Sequence, residues 1–159
     1  MSNVTNIVIA GLGGQGVLSA SDILATTAFL AKRDVKKAEV HGMSQRGGSV
    51  TSDVRYGDKV ESPIVSPGAA DYLVIFDETQ LGPTQHLLRE GGTMLSCAVL
   101  DSKALPSPRT LNVAMLGMLS AHLDLPVELW LEAIRSAFRS KLHGMNETAF
   151  GLGREIGQA

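Results

Sequence analysis

The run Asn6 to Gly16, N-I-V-I-A-G-L-G-G-Q-G, constrains the fold of this chain more than any other stretch. Ile7 to Ala10 has the length and β-branched content of a strand buried on both faces, and it gives way at once to Gly11, Gly13, Gly14 and Gly16. Gly11, Gly13 and Gly16 fit G-x-G-x-x-G, a spacing that permits a tight turn, close backbone approach to a phosphate, and packing of the next helix on the strand. The helix that follows offers unpaired N–H groups and a partial positive charge to an anion.

Val17 to Arg33 supplies that helix, with Val17, Ala20, Leu24, Ala28 and Ala31 on one face and Lys32 and Arg33 at its negative end. Val35 to Val40 reads as a second strand, reached by a right-handed β-α-β crossover. His41 to Gly48, H-G-M-S-Q-R-G-G, has no periodicity and reads as a loop. Ser49 to Tyr56 alternates as a strand, and Val60 to Val65 reads as a short returning strand, an antiparallel excursion from the parallel pattern.

Tyr72 to Phe76 is another compact strand. Thr79 to Glu90 is expected to be a helix stopped by Gly91 and Gly92, and Thr93 to Val99 a further buried strand. Asp101 to Pro108 is a loop. Asn112 is expected to cap a helix reaching His122, and Pro126 to open another with Val127, Leu131, Ile134 and Phe138 inward. The tail from Met145 to Ile156 has helical periodicity weakened by Gly151 and Gly153. These elements predict a three-layer, Rossmann-like, doubly wound α/β fold: a mostly parallel sheet with an antiparallel hairpin excursion, in one domain over residues 1–159.

Composition narrows the functional classes. With 44% hydrophobic and 19% charged residues the chain is of ordinary globular type, and a net charge of −2 argues for neither a nucleic-acid nor a membrane-surface partner. The lone cysteine, Cys97, excludes an internal disulfide and cannot by itself hold an iron–sulfur cluster or structural zinc, so any such centre belongs to another chain. The N-terminus lacks the pattern of a signal peptide and no apolar run reaches about 18 residues. A soluble cytoplasmic protein is expected.

Two loops carry the candidate chemistry. The first is the glycine turn, a phosphate site by context. A dinucleotide site would also need an acidic residue ending the second strand, and Glu39 stands one residue short of that end. Lys32, Arg33, Lys36 and Lys37 suit either a site tolerant of extra phosphate charge or a solvated helix end and strand. The second loop holds Ser44, Gln45, Arg46, Gly47 and Gly48, where Arg46 could grip a phosphate or carboxylate with its fork and the glycines allow close approach. Ligands of open α/β sheets sit outside the C-terminal strand ends, where both loops emerge. His41, His86, His122 and His143 have no metal-ligand spacing, Asp77 and Glu78 read as a helix start, and Cys97 as a buried small hydrophobe. No catalytic residue or metal site is assigned.

The two loops in this order, I-V-I-A-G-L-G-G-Q-G and then E-V-H-G-M-S-Q-R-G-G-S-V from Glu39 to Val50, resemble the gamma-type subunit of 2-oxoacid:ferredoxin oxidoreductases, in particular the small subunit of the indolepyruvate enzymes. The likeness continues through A-D-Y-L-V-I-F-D-E at Ala70 to Glu78, N-V-A-M-L-G at Asn112 to Gly117 and N-E-T-A-F-G-L-G at Asn146 to Gly153. It implies oxidative decarboxylation of a 2-oxoacid with coenzyme A, giving an acyl-CoA, carbon dioxide and two reduced ferredoxins. It further implies a larger partner subunit carrying thiamine diphosphate and the iron–sulfur clusters, with ferredoxin met through the complex. By the same resemblance Gly13, Gly14, Gln15 and Gly16 would line the phosphate region of coenzyme A, while Gln45, Arg46, Gly47 and Gly48 would face it or the thiamine. The competing reading is a stand-alone adenine-nucleotide-binding module with a regulatory or carrier role. A self-sufficient dehydrogenase is weakened by the lack of a substrate domain.

Overall fold

The computed structural model describes residues 3–41 and 48–159. Its five-stranded sheet is built from β1 (Thr5–Leu12), β2 (Asp34–His41), β3 (Ser49–Gly57), β4 (Ala70–Ile75) and β5 (Leu88–Ser96), in the order β2-β3-β1-β4-β5. β1 is parallel to β4 and β4 to β5, whereas β3 runs antiparallel to both β1 and β2. The predicted α/β fold is therefore present, with its antiparallel excursion at β3. β1, β2, β4 and β5 all end at one edge of the sheet.

Helix α1 (Val17–Leu30) follows the glycine turn and crosses to β2. It stops short of the expected Arg33 because Lys32 adopts a left-handed backbone, φ 63°, which lets the Arg33 N–H donate to the Ala28 carbonyl at 3.0 Å. The crossover does not set β2 beside β1, since β3 is inserted between them.

Two apolar clusters lie on opposite faces of the sheet. On one, Ile7, Ile9, Val54, Tyr56 and Val74 pack against α1, α3 (Leu111–Ser120), α4 (Val127–Ala137) and α5 (His143–Gln158). On the other, Val8, Ala10, Leu73 and Ile75 are covered by Val65, Leu81 and Leu87. The third layer is thus thin, made of short turns and an extended segment.

Several local expectations are corrected. Residues 60–65 form no strand, because their backbone bonds to side chains on the sheet face: Val60 N–H to Asp34 Oδ2 at 2.7 Å, Val65 N–H to Asp53 Oδ2 at 2.9 Å, and Arg55 Nη1 to the Ser62 carbonyl at 2.6 Å. The helix expected over Thr79 to Glu90 is only a chain of turns around α2 (Leu81–Thr84), interrupted where Gly82 and Pro83 weaken it. β5 already begins at Leu88, runs through Gly91 and Gly92, and is an edge strand rather than a buried one.

The tail forms the full helix α5, and its glycines serve the packing rather than weaken it. A Cβ on Gly153 would stand 2.7 Å from the Ala114 carbonyl carbon, and one on Gly117 would stand 2.9 Å from the Arg154 nitrogen. α3 and α5 thereby approach backbone to backbone. α3 is buried from Asn112 to Ser120, enclosed between the sheet and its neighbouring helices.

Candidate functional site

The glycine turn leaves the C-terminal end of β1 and is fastened on both sides. The Gly13 N–H donates to the Gly48 carbonyl at 2.9 Å, so the far end of the second loop returns directly beside the first. The register continues this contact, with Leu12 opposite Ser49 and Gly11 opposite Val50. The two loops are brought together at this point. Ser44, Gln45, Arg46 and Gly47 lie outside the described residues.

Gln15 acts inside the turn. Its Oε1 accepts the Leu12 N–H at 2.7 Å and its Nε2 donates to Asp77 Oδ2 at 2.9 Å, tying the turn to the end of β4. Asp77 also accepts the Thr79 hydroxyl at 2.6 Å and the Thr79 N–H at 3.1 Å. The Thr79 hydroxyl first, and the Gln15 amide next, hold the Asp77 carboxyl below its ordinary value. A carboxyl held low stabilises the fold above the ordinary carboxylate range, and that contribution is lost only as the pH falls below it. The brace is intact at neutral pH.

Gly14 and Gly16 have left-handed backbones, φ 91° and φ 82°, which glycine adopts without steric cost. Gly16 precedes α1, and Asn112 Nδ2 donates to its carbonyl at 3.3 Å, across 96 residues of sequence. Asn112 is not the expected cap. It lies within α3, and its Oδ1 accepts the Val113 N–H at 2.9 Å. The starts of α1 and α3 consequently flank one cleft of about 520 Å³, lined by Gly14, Gln15, Gly16, Pro108, Arg109, Leu111 and Asn112. Among the described residues no backbone carbonyl takes the N–H of Gly14 or Gly16.

A neighbouring cleft of about 460 Å³ shares Leu111 and is lined by Asp77, Glu78, Cys97 and Leu100. Burial pushes the Cys97 thiol up from its usual value, which keeps it protonated and unreactive at neutral pH. Among the described residues no group of three or more His, Cys, Asp or Glu side chains could hold a metal. No helix among them is long and apolar enough to cross a membrane.

The arrangement does not suit a dinucleotide held in the ordinary Rossmann manner. That mode needs β2 next to β1, so that an acidic residue at its end reaches the ribose. Here β3 occupies that place and sets β2 two strand spacings away, about 10 Å. Glu39 is engaged by Lys37, which also pairs with Asp22 at 2.7 Å. Lys36 pairs with Asp34 at 3.7 Å and Arg33 with Asp124 at 3.1 Å. These basic residues act as internal ties. Sequence reading missed Arg109 and Asn112 as site residues: Arg109 stands in no motif, Asn112 reads as a helix cap at the start of N-V-A-M-L-G, and both reach the cleft only through tertiary packing.

Comparison with known proteins agrees with the fold. A family model described as pyruvate ferredoxin/flavodoxin oxidoreductase matches residues 6–106. Indolepyruvate oxidoreductase subunit IorB of Pyrococcus horikoshii is 43% identical over 93 residues, covering 58% of this chain and 46% of the relative. The match thus spans about half the length of that relative. The same-named subunit of Archaeoglobus fulgidus is 30% identical over 93% of this chain and 92% of its own length. Among solved structures, a keto/oxoacid ferredoxin oxidoreductase gamma subunit from Geobacter sulfurreducens superposes with a TM-score of 0.78 at 23% identity, covering 96% of this chain and 98% of its own. The 2-oxoglutarate:ferredoxin oxidoreductase of Magnetococcus marinus, with 2-oxoglutarate, coenzyme A and succinyl-CoA bound, gives a TM-score of 0.86 at 17% identity over 99% of this chain and 32% of that one. These likenesses at low identity establish the fold, and the family match covers well over half of the sequence. The chain belongs to the pyruvate ferredoxin/flavodoxin oxidoreductase family.

Proposed function

We propose that this chain is the small subunit of a thiamine-dependent 2-oxoacid:ferredoxin oxidoreductase and that its glycine turn forms part of the coenzyme A site. The observation that carries the reading is the Gly13 N–H to Gly48 carbonyl bond, which sets the return of the second loop against the glycine turn at the C-terminal sheet edge. The N–H groups of Gly14 and Gly16, without a backbone acceptor among the described residues, and those of the first turn of α1 suit a phosphate. Gln15 is a positioning residue in this reading, holding the turn open toward the ligand. The 2-oxoacid is of the class that includes indolepyruvate, and the partner builds most of its pocket.

The donor set fits this division of labour. One cysteine cannot ligate a cluster, which supports the reading that a larger partner subunit carries the iron–sulfur centres and, with them, thiamine diphosphate. The thiamine, when bound there, supplies the carbanion chemistry of decarboxylation. This chain's residues bind and orient the acyl acceptor and exclude water. In the assembled enzyme the partner's clusters would carry the two electrons to two ferredoxins, and the acyl group would leave on the coenzyme A that this chain helps to hold.

The test is copurification with the larger subunit and 2-oxoacid-dependent reduction of ferredoxin by the complex. Within it, Arg46→Ala is expected to lower turnover at least roughly tenfold, the loss of one charge-assisted contact, while the melting temperature of the isolated chain stays the same. A large drop in melting temperature would make Arg46 structural. Full activity of the larger subunit alone would remove this chain from the reaction.

A further inference from the structure

We propose that Arg109 binds a phosphate group of coenzyme A, completing from the α3 side the cleft that the glycine turn opens from the α1 side; this rests on the reading that the cleft receives that coenzyme. Arg109 sits on the short turn Pro108–Thr110 that leads into α3. The backbone there is fixed: Ser107 Oγ accepts the Arg109 N–H at 3.2 Å, and the Thr110 hydroxyl donates to the Ser107 carbonyl at 2.6 Å. Asn112 then bonds this segment to the Gly16 carbonyl. An exposed guanidinium is thus carried on an ordered backbone at the wall of the cleft.

Among the described residues its charge meets no carboxylate, whereas Arg33, Arg89 and Arg135 each pair with one, at 3.1, 2.8 and 2.6 Å. Its placement also runs against ordinary helix electrostatics. Helix starts carry partial positive charge and favour acidic side chains, as α4 does with Glu128 in its first turn. Neither α1 nor α3 has an acidic residue in its first turn, and an arginine stands before α3 instead. Positive charge is therefore concentrated in a cleft whose own walls do not neutralise it. A phosphate would do so, and the guanidinium fork matches its oxygens. The neighbouring cleft past Leu111 carries Asp77 and Glu78, which repel an anion and confine the phosphate to the Arg109 end.

The test is steady-state kinetics of the assembled complex with wild-type chain, Arg109→Ala, Arg109→Lys, Gly14→Ala and Lys103→Ala, using coenzyme A and its 3′-dephospho form. Arg109→Ala is expected to raise KM for coenzyme A about tenfold or more, leaving KM for the 2-oxoacid and kcat at saturating coenzyme unchanged. Arg109→Lys recovers part of the loss, and Lys103→Ala, an exposed cation outside the cleft, matches wild type. A penalty that vanishes with the dephospho form assigns Arg109 to the 3′-phosphate, and one that persists assigns it to the diphosphate. An unchanged KM in Arg109→Ala alone, or equal rises for both substrates, overturns the role of Arg109. If Gly14→Ala, which meets no atom within 4 Å but strains a left-handed residue in the cleft wall, also leaves KM for coenzyme A unchanged, the cleft assignment itself falls.

Discussion

Gly153→Ala lowers the stability of this chain by roughly 2–3 kcal/mol, whereas Gly151→Ala, two residues earlier in the same helix, raises it by roughly 0.5–1 kcal/mol. Both changes add one methyl group to α5, and helix propensity favours both. They differ in what the methyl meets. At Gly153 it falls onto the Ala114 backbone, where no side chain can rotate aside, so α3 and α5 must part. α3 is buried from Asn112 to Ser120 and pressed against the sheet, so the displacement spreads into the core. At Gly151 nothing lies within 4 Å. Thermal unfolding is the check: a fall of about 5–10 °C for the first and a small rise for the second. Equal shifts of the same sign would mean that the two helices do not meet at Gly153.

Gly16→Ala combines backbone strain with a collision at the site. A left-handed residue other than glycine costs roughly 1–2 kcal/mol, and the new Cβ would stand 2.5 Å from Asn112 Nδ2. Asn112 must swing away and give up its bond to the Gly16 carbonyl, a further loss of about 1 kcal/mol. Urea unfolding is expected to register roughly 2–3 kcal/mol in total. With the Asn112 tie between the starts of α1 and α3 lost, the proposed coenzyme A role predicts a raised KM for coenzyme A in the complex. Asn112→Ala in the Gly16→Ala background costs less than the sum of the two single changes, since the side chain that collides is already gone. Strict additivity would show that Gly16 and Asn112 do not act on each other.

The legible parts of this molecule were those written locally. Ile7 to Ala10 and the glycines after it specify a buried strand, a turn and a helix within one stretch, and that unit stands as read. β2 and β3 are also legible as strands, β3 from its alternation, but the insertion of β3 between β1 and β2 is not. Strand order depends on pairings such as Ile7 with Val54, which no window around either residue reveals. Residues 60–65 mislead because the Gly57-Asp58 turn ahead of them suggests a returning strand, while Asp34, Asp53 and Arg55 capture their backbone from the sheet face. Gly153 was read by intrinsic propensity as a weak point of a helix. Its meaning lies in the α3 backbone that approaches it.

The candidate site divides in the same way. The glycine turn and the loop containing Arg46 could be read as a pair, because both motifs are contiguous and both follow strands. The family resemblance puts Gln15 at the site, but its two hydrogen bonds turn it inward as a brace. Arg109 stands alone in a Pro- and Ser-containing loop with no motif around it. Only the fold, through Asn112 and Gly16, brings it to the cleft.

Hydrogen exchange of the assembled complex with and without saturating coenzyme A tests most directly whether main-chain amides at the end of β1 hold the acyl acceptor. Slowed exchange at Gly14 and from Gly16 to Ser19, with no change at Asn3 to Thr5 on the opposite sheet edge, is the expected result. Unchanged exchange at the glycine turn in a complex that is turning over coenzyme A would contradict it.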